Sequence, residues 1–238
     1  MSLFEKYIID KSLNFGRSII KEYLENSLPF NSVLDLGAGE GKDLLSAKSV
    51  NSSAKLFAIE QFDPNIKCLQ EQSINVYKLN IEKDQLPFED ESIDIIVANQ
   101  ILEHAKEIFW IMHEISRVLK VGGKLILGLP NLASLHNRLL LLFGLQPTPI
   151  QLYSAHIRGF TKPGLMKFLN LYGGFIICNY KGSNFYPFPS YIAKPLAKIL
   201  PSLSWGMFFL LKKTTNYSNE FLNYIENRGL QTPFYIGN

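Results

Sequence analysis

The chain has 238 residues, 47% of them apolar, with a formal net charge of +3 and two cysteines. That is enough apolar chain for one domain with a sizeable core, and no Gly/Ser-rich or Pro-rich linker, repeat or low-complexity run divides it. Cys68 and Cys178 exclude a disulfide framework, no Cys/His group has zinc spacing, and no carboxylate cluster suits magnesium, so no metal is expected. The first residues lack a basic-then-apolar leader, which together with the cysteine usage predicts a cytoplasmic protein. Phe4, Ile8, Leu13, Ile19, Ile20 and Leu24 predict helices within residues 1–30, a cap over the mouth of a site.

The run Val33-Leu34-Asp35-Leu36-Gly37-Ala38-Gly39-Glu40-Gly41 reads as a buried strand entering a glycine-rich turn, with a helix beginning at Lys42. Such a turn brings bare backbone N–H groups beside a ligand at the carboxyl end of a sheet. The third glycine falls one residue early for a dinucleotide fingerprint, and Asp43 stands where a phosphate loop needs a hydroxyl. A second strand over 55–60 ends at Glu60, where a carboxylate is placed to accept from ribose hydroxyls. Asp63 and Pro64 read as the N-cap and first turn of the next helix. A third strand over 75–79 leads to Asn80, Ile81 and Glu82, and a fourth over 93–98 empties into Asn99-Gln100-Ile101-Leu102-Glu103-His104. Residues 105–120 predict a helix whose Ile108, Ile111, Met112, Ile115, Val118 and Leu119 face the core, leaving His113, Glu114 and Arg117 solvated. Gly122 and Gly123 are expected to end it with a left-handed turn before a fifth strand over 124–130.

The segment Asp-Leu-Gly-Ala-Gly-Glu-Gly at 35–41 resembles the first motif of class I S-adenosylmethionine-dependent methyltransferases. The acid after strand two, the Leu86-Pro87-Phe88 and Ser92-Ile93-Asp94 segments, Leu102-Glu103-His104 and Leu119-Lys120-Val121-Gly122-Gly123-Lys124-Leu125 resemble later motifs of that family, in order, over residues 31–130. The resemblance implies an α/β fold, a Rossmann-like seven-stranded sheet with an antiparallel last strand, helices on both faces and a lid insertion. It also implies S-adenosylmethionine as cofactor and S-adenosylhomocysteine as product. Asp35, Gly37, Ala38, Gly39 and Gly41 would line the cofactor, Glu60 would grip the ribose, and Gln61 would lie beside the adenine. Asn80 stands where the family usually has an acid and would accept from the adenine amino group through its amide oxygen. Ile81 would lie against the ring, Asn99 would face the cofactor, and His104 would face the acceptor or cap the next helix.

Charge divides unevenly along the chain: residues 1–130 carry 14 basic and 19 acidic side chains, residues 131–238 carry 10 and 2. A basic second half suits an anionic small molecule, whereas the absence of a Lys/Arg comb interleaved with aromatics makes nucleic acid a poor candidate. The Pro130-Asn131-Leu132 and His156-Ile157-Arg158-Gly159-Phe160-Thr161 segments resemble a bacterial subgroup that modifies sugars and small metabolites. In that subgroup the insertion at 131–161 forms a lid, which makes Tyr153, His156 and Arg158 the acceptor-side candidates. A second lid insertion is expected over 182–204. Thr161 predicts a helix cap, 175–180 a sixth strand, and 205–211 a seventh, antiparallel strand at the sheet edge.

Lys194, Lys198 and two prolines argue against a membrane span in the apolar stretch 191–211, leaving a surface helix able to touch lipid. The tail after Lys213 holds an amphipathic piece over 221–225 without an assigned role, and oligomeric state is open. The reading that emerges is methyl transfer to a small-molecule acceptor, foremost a hydroxyl of a sugar or other anionic metabolite, with His156 and then His104 as general base. Two alternatives stand beside it. One is a methyltransferase-like cofactor-binding partner or regulatory subunit without turnover; the other is a dinucleotide-dependent oxidoreductase, disfavoured by the glycine spacing.

Overall fold

Short apolar runs alternating with amphipathic segments must bury strands on both faces, and parallel strands joined by helices meet that demand. The computed structural model describes residues 10–229 and 231–237, so Phe4 and Ile8 lie outside the described residues. Seven strands form one sheet: β1 (Ser32–Leu36), β2 (Lys55–Ile59), β3 (Asn75–Tyr77), β4 (Ile93–Asn99), β5 (Leu119–Pro130), β6 (Phe175–Ser183) and β7 (Gly206–Lys213). Their order is β3-β2-β1-β4-β5-β7-β6. The first five are mutually parallel, while β7 runs antiparallel to both of its neighbours. This is a Rossmann-like α/β sheet, parallel but for β7.

The expectation that the seventh strand lies at the edge is corrected: β7 sits between β5 and β6, and β6 is the edge. Burial explains the order. Met207 to Leu211 of β7 are all buried, as an interior strand requires, whereas Ile176 and Ile177 of β6 are exposed.

Eight α-helices are described: α1 (Arg17–Glu25), α2 (Lys42–Val50), α3 (Asp63–Glu71), α4 (Ile108–Val118), α5 (Leu135–Leu142), α6 (Lys162–Leu169), α7 (Ser190–Ile199) and α8 (Glu220–Glu226). One sheet face packs Val33, Val97, Ile126 and Phe208 against Tyr23 and Leu24 of α1, Leu44 of α2 and Leu69 of α3. The opposite face packs Leu34, Ile96, Leu127 and Phe209 against Ile111 and Ile115 of α4, Leu165 of α6 and Phe221 of α8. Alternate residues of each strand therefore serve opposite layers. Asp63 does not cap α3; Phe62 holds the cap position, and the Asp63 carboxylate accepts from Lys78 Nζ at 2.7 Å. Thr161 caps α6 as expected, its hydroxyl accepting from Gly164 N at 3.1 Å.

Two readings of the α4 region are overturned. The helix stops at Val118 and strand β5 follows at once, so Gly122 and Gly123 lie within the strand segment. The register jumps from Ile93↔Leu119 to Ile95↔Lys124, leaving residues 120–123 as an excursion. A Cβ at Gly123 would stand 2.9 Å from Asp94 O, which is why the chain needs glycine there. His113, Glu114 and Arg117 are not solvated. His113 is 8% and Glu114 2% exposed, with His113 Nδ1 3.0 Å from Tyr217 Oη. Arg117 clasps the Glu114 carboxylate with Nε and Nη2 at 2.8 and 2.7 Å. Its Nη1 and Nη2 also donate to the carbonyls of Phe88 and Leu86. Tail and loop cover the polar side of α4, so a helix read as half-exposed is enclosed.

No helix among the described residues is long and apolar enough to cross a membrane. Helix α7 carries Pro195, buries Ala193 and Ala197, and leaves Tyr191 and Ile199 exposed.

Candidate functional site

The carboxyl ends of β1, β2 and β4 converge on the glycine turn, the place where a doubly wound sheet opens a crevice. Gly37, Gly39 and Gly41 all hold positive φ, at 67°, 55° and 79°. A Cβ on Gly37 would lie 2.4 Å from Ile101 Cδ1, and one on Gly41 would lie 2.6 Å from Leu69 Cδ2. A Cβ on Gly39 would meet nothing within 4 Å, so this glycine borders open space. Only glycine combines the left-handed backbone with these approaches.

Two cavities meet at Gly37. One, of about 280 Å³, is lined by Ile59, Glu60, Gln61, Leu79, Asn80, Ile81 and Ile101, with His104 and Ala105 at one end. The other, of about 320 Å³, is lined by Asp35, Ala38, Gly39, Asp43, Asn99 and Arg17. The first is mostly apolar walls with polar groups at its rim, and the second is polar. That pairing suits a nucleoside joined to an amino acid.

In the polar cavity Asp35 is 3% exposed, with Asp43 and Arg17 beside it. Burial, reinforced by the neighbouring Asp43 charge, holds its carboxyl well above the usual carboxylate range, with Arg17 opposing the shift. Burial also raises Asp43, against hydrogen bonds from Asn99 Nδ2 at 2.9 Å and Arg17 Nη1 at 3.3 Å. Asn99 thus turns its NH₂ toward Asp43 and the Phe15 carbonyl, leaving Oδ1 buried without a partner. Asp43 and Arg17 were not anticipated as site residues. The acid inside the first turn of α2 was the available signal, but Arg17 reaches it only by tertiary packing.

In the apolar cavity the Glu60 carboxylate closes onto backbone. Oε2 accepts from Gly39 N at 2.8 Å, while Oε1 accepts from Gln61 N at 2.8 Å and Phe62 N at 3.0 Å. Asn80 Oδ1 accepts from Glu82 N at 3.0 Å, an Asx turn that occupies the amide oxygen locally. Gln100 follows β4 at φ 56°, a left-handed conformation uncommon for a side-chain-bearing residue and frequent at functional sites.

Beyond Ala105 lie the acceptor-side candidates. His104 and His156 meet edge to face with ring centroids 4.6 Å apart. Burial and the adjacent His156 push the His104 imidazole below its ordinary value. Glu103 is fully buried, and burial raises its carboxyl to about 7. The 155–158 segment is stapled here: Ile157 N and Arg158 N donate to Glu103 O at 2.8 and 3.1 Å. Arg158 Nε and Nη2 donate to the carbonyls of Ala105 and Lys106 at 3.0 and 2.6 Å. The Arg158 guanidinium therefore ties its segment to the turn after β4, and neither Arg158 nor His156 lines either cavity. Tyr153 is 89% exposed and borders neither cavity.

Other cations of the second half are also engaged. Lys181 pairs with Glu22, Lys162 sits 4.0 Å from the Tyr180 ring centroid, and buried Lys213 lies 3.1 Å from Glu91 Oε1.

Comparison with known proteins agrees with this geometry. Residues 34–127 match the family described as a methyltransferase domain. An uncharacterized 37.1 kDa protein of a Streptomyces fradiae transposon is 32% identical over 123 residues, covering 50% of this chain and 35% of the relative. The chain thus spans about a third of that relative's length. A Thermotoga maritima S-adenosylmethionine-dependent methyltransferase, described as a possible histamine N-methyltransferase, superposes with TM-score 0.59 at 19% identity, covering 85% and 91% of the two chains. The plantazolicin methyltransferase BpumL, solved with S-adenosylhomocysteine, gives TM-score 0.59 at 16% identity over 86% of each chain. Residues 34–127 are thus similar to a methyltransferase domain, and the fold is that of these methyltransferase structures.

Proposed function

We propose that the protein transfers a methyl group from S-adenosylmethionine to a small-molecule acceptor, with a hydroxyl of a sugar or related metabolite as the acceptor group. The observation that carries this reading is the pair of cavities meeting at Gly37, with the buried Asp35 carboxylate lining one and Glu60 lining the other. When bound, the sulfonium supplies a methyl carbon open to in-line displacement. Asp35 offers a negative partner to an α-ammonium group, a counter-charge that relieves its own burial. Glu60 takes the ribose hydroxyls in exchange for backbone N–H groups that already hold it in place. Leu79 and Ile81 provide the apolar walls for the base, and Asn80 keeps one acceptor lone pair.

On the acceptor side the segment 155–158 would position the hydroxyl. His156 and then His104 are the groups that handle its proton. His156 Nδ1 lies 2.8 Å from Pro149 O, which assigns the ring proton to Nδ1 and leaves Nε2 as the basic atom. An anionic acceptor has weaker support than a neutral one, because Arg158, Lys162, Lys181 and Lys213 are committed elsewhere.

A second reading, a cofactor-binding partner or regulatory subunit without turnover, draws on the closure of Glu60 and Asn80 onto backbone donors. Calorimetric titration tests both. S-adenosylmethionine and S-adenosylhomocysteine should each bind once per chain in the micromolar range, and Gly39→Arg should weaken both by at least about 100-fold, or ~2.7 kcal/mol. Absence of saturable binding would overturn both readings, and binding without turnover across hydroxyl acceptors would select the second.

A further inference from the structure

One cluster exceeds what a base assignment explains. Glu103, His104 and His156 place one ligand atom each within 4.8 Å of one another. They come from two different parts of the fold: Glu103 and His104 from the 3-10 turn after β4, His156 from the lid. Glu103 is 0% exposed, and neither of its carboxylate oxygens has a hydrogen-bond partner. A buried carboxyl with both oxygens unpaired is expensive, and a side chain kept in that state calls for a counter-charge.

We propose that Glu103, His104 and His156 form a binding site for one first-row divalent cation, whose remaining coordination positions take a hydroxyl oxygen of the acceptor. Two imidazoles and a carboxylate suit Zn²⁺, Fe²⁺, Mn²⁺ or Co²⁺ rather than Mg²⁺, which prefers an all-oxygen shell. The tautomers are already set for it. His156 Nδ1 lies 2.8 Å from Pro149 O and His104 Nδ1 lies 3.3 Å from Ala155 O, so each ring is held through Nδ1 and presents Nε2. Carbonyl partners of this kind orient metal-binding imidazoles. Ligand atoms around a cation at about 2.1 Å stand roughly 3–3.5 Å apart, so the three side chains would draw together on binding.

The lid geometry gives the second reason. The two hydrogen bonds onto Glu103 O and the two from Arg158 onto Ala105 and Lys106 pin residues 155–158 against the turn. They fix the separation of His156 from Glu103 without using any of the three ligand side chains. His104 also borders the cavity that Glu60 and Ile101 line, so a cation here stands beside that cavity. A cation held by these residues would make an acceptor hydroxyl bound to it more acidic, the proton leaving to water and the O–H electron pair remaining on the oxygen for attack. The histidines then act on the acceptor through the metal, which refines their role as direct bases. Cation binding itself is independent of the proposed methyl transfer; the acceptor-oxygen clause rests on it.

The test is titration of the chelator-treated full chain with Co²⁺, followed by calorimetry and by visible absorption. One Co²⁺ per chain is expected, with a ligand-field band. Glu103→Gln and His156→Ala should each weaken it by at least about tenfold. His136→Ala, a histidine held by Thr148 outside the cluster, should leave affinity unchanged. Glu103→Gln preserves shape and removes a buried charge, so its thermal midpoint without metal should not fall, which separates ligand loss from misfolding. S-adenosylhomocysteine titrated into the same samples reports on the cofactor pocket. Cofactor binding with no stoichiometric Co²⁺ would overturn the metal site and spare the proposed function. Co²⁺ binding that survives both cluster substitutions, or falls equally in His136→Ala, would also overturn it.

Discussion

Asp94 lies at the start of β4, away from both cavities, yet its carboxylate gathers four donors. Asn31 N, Ser32 N and Ser32 Oγ approach Oδ2 at 2.7, 3.0 and 3.1 Å, and Lys120 Nζ approaches Oδ1 at 2.7 Å. Partial burial raises the carboxyl, but the hydrogen bonds from Lys120, Asn31 and Ser32 outweigh it and leave it below its ordinary value. A folded-state pKa below the unfolded one gives stability that is present above the unfolded pKa and lost as pH falls through the folded one. Asp94→Asn should therefore cost about 1–3 kcal/mol near neutral pH. In urea unfolding the difference from wild type should shrink below about pH 4. Asp94 was legible only as the end of a family-like segment, because its donors come from β1 and from the excursion after α4. Glu60 was legible because a strand-terminal acid at that spacing meets the turn whichever way the helices pack. Glu103 was passed over: adjacent Glu and His have no metal spacing until the lid brings His156 to them.

At the scale of elements, the end of α4 shows a tertiary contact replacing a local signal. Gly122 and Gly123 offered a left-handed cap, but the carbonyls of Ser116 and Leu119 are instead held by Lys213 Nζ, each at 2.8 Å. Lys213 is fully buried at the end of β7, with Glu91 beside it. A cation at a helix C-terminus opposes the carbonyl end of the dipole, and here it also joins helix to sheet. Lys213→Met keeps the apolar stem and removes the donors, so chemical unfolding should show a loss of about 1.5–3 kcal/mol. Affinity for S-adenosylhomocysteine should be retained, since the cavities lie at the opposite ends of the parallel strands. The apolar stripe of α4 was legible from helical periodicity. The burial of its polar side was not, because α8 and the loop over 86–90 supply that cover from distant sequence.

For the whole molecule, the cavities and the core share the same strands, so occupancy should stabilise the entire domain. With ligand at 100 times its Kd the gain is about 2.7 kcal/mol, which for a chain of this size raises Tm by roughly 5–10 °C. Scanning calorimetry with S-adenosylhomocysteine should show that rise in wild type and little of it in Gly39→Arg. The sequence by itself determined the alternation of strands and helices, the glycine turn and the acids around it. Those follow from backbone sterics and burial period, which act over a few residues. Tertiary structure alone decided that β7 lies inside the sheet, that Arg17 reaches Asp43, and that Arg158, Lys162, Lys181 and Lys213 are spent on carbonyls, a ring and ion pairs. It alone set His156 beside Glu103 and His104, because contacts between segments far apart in the chain depend on how the layers close, which no local pattern encodes.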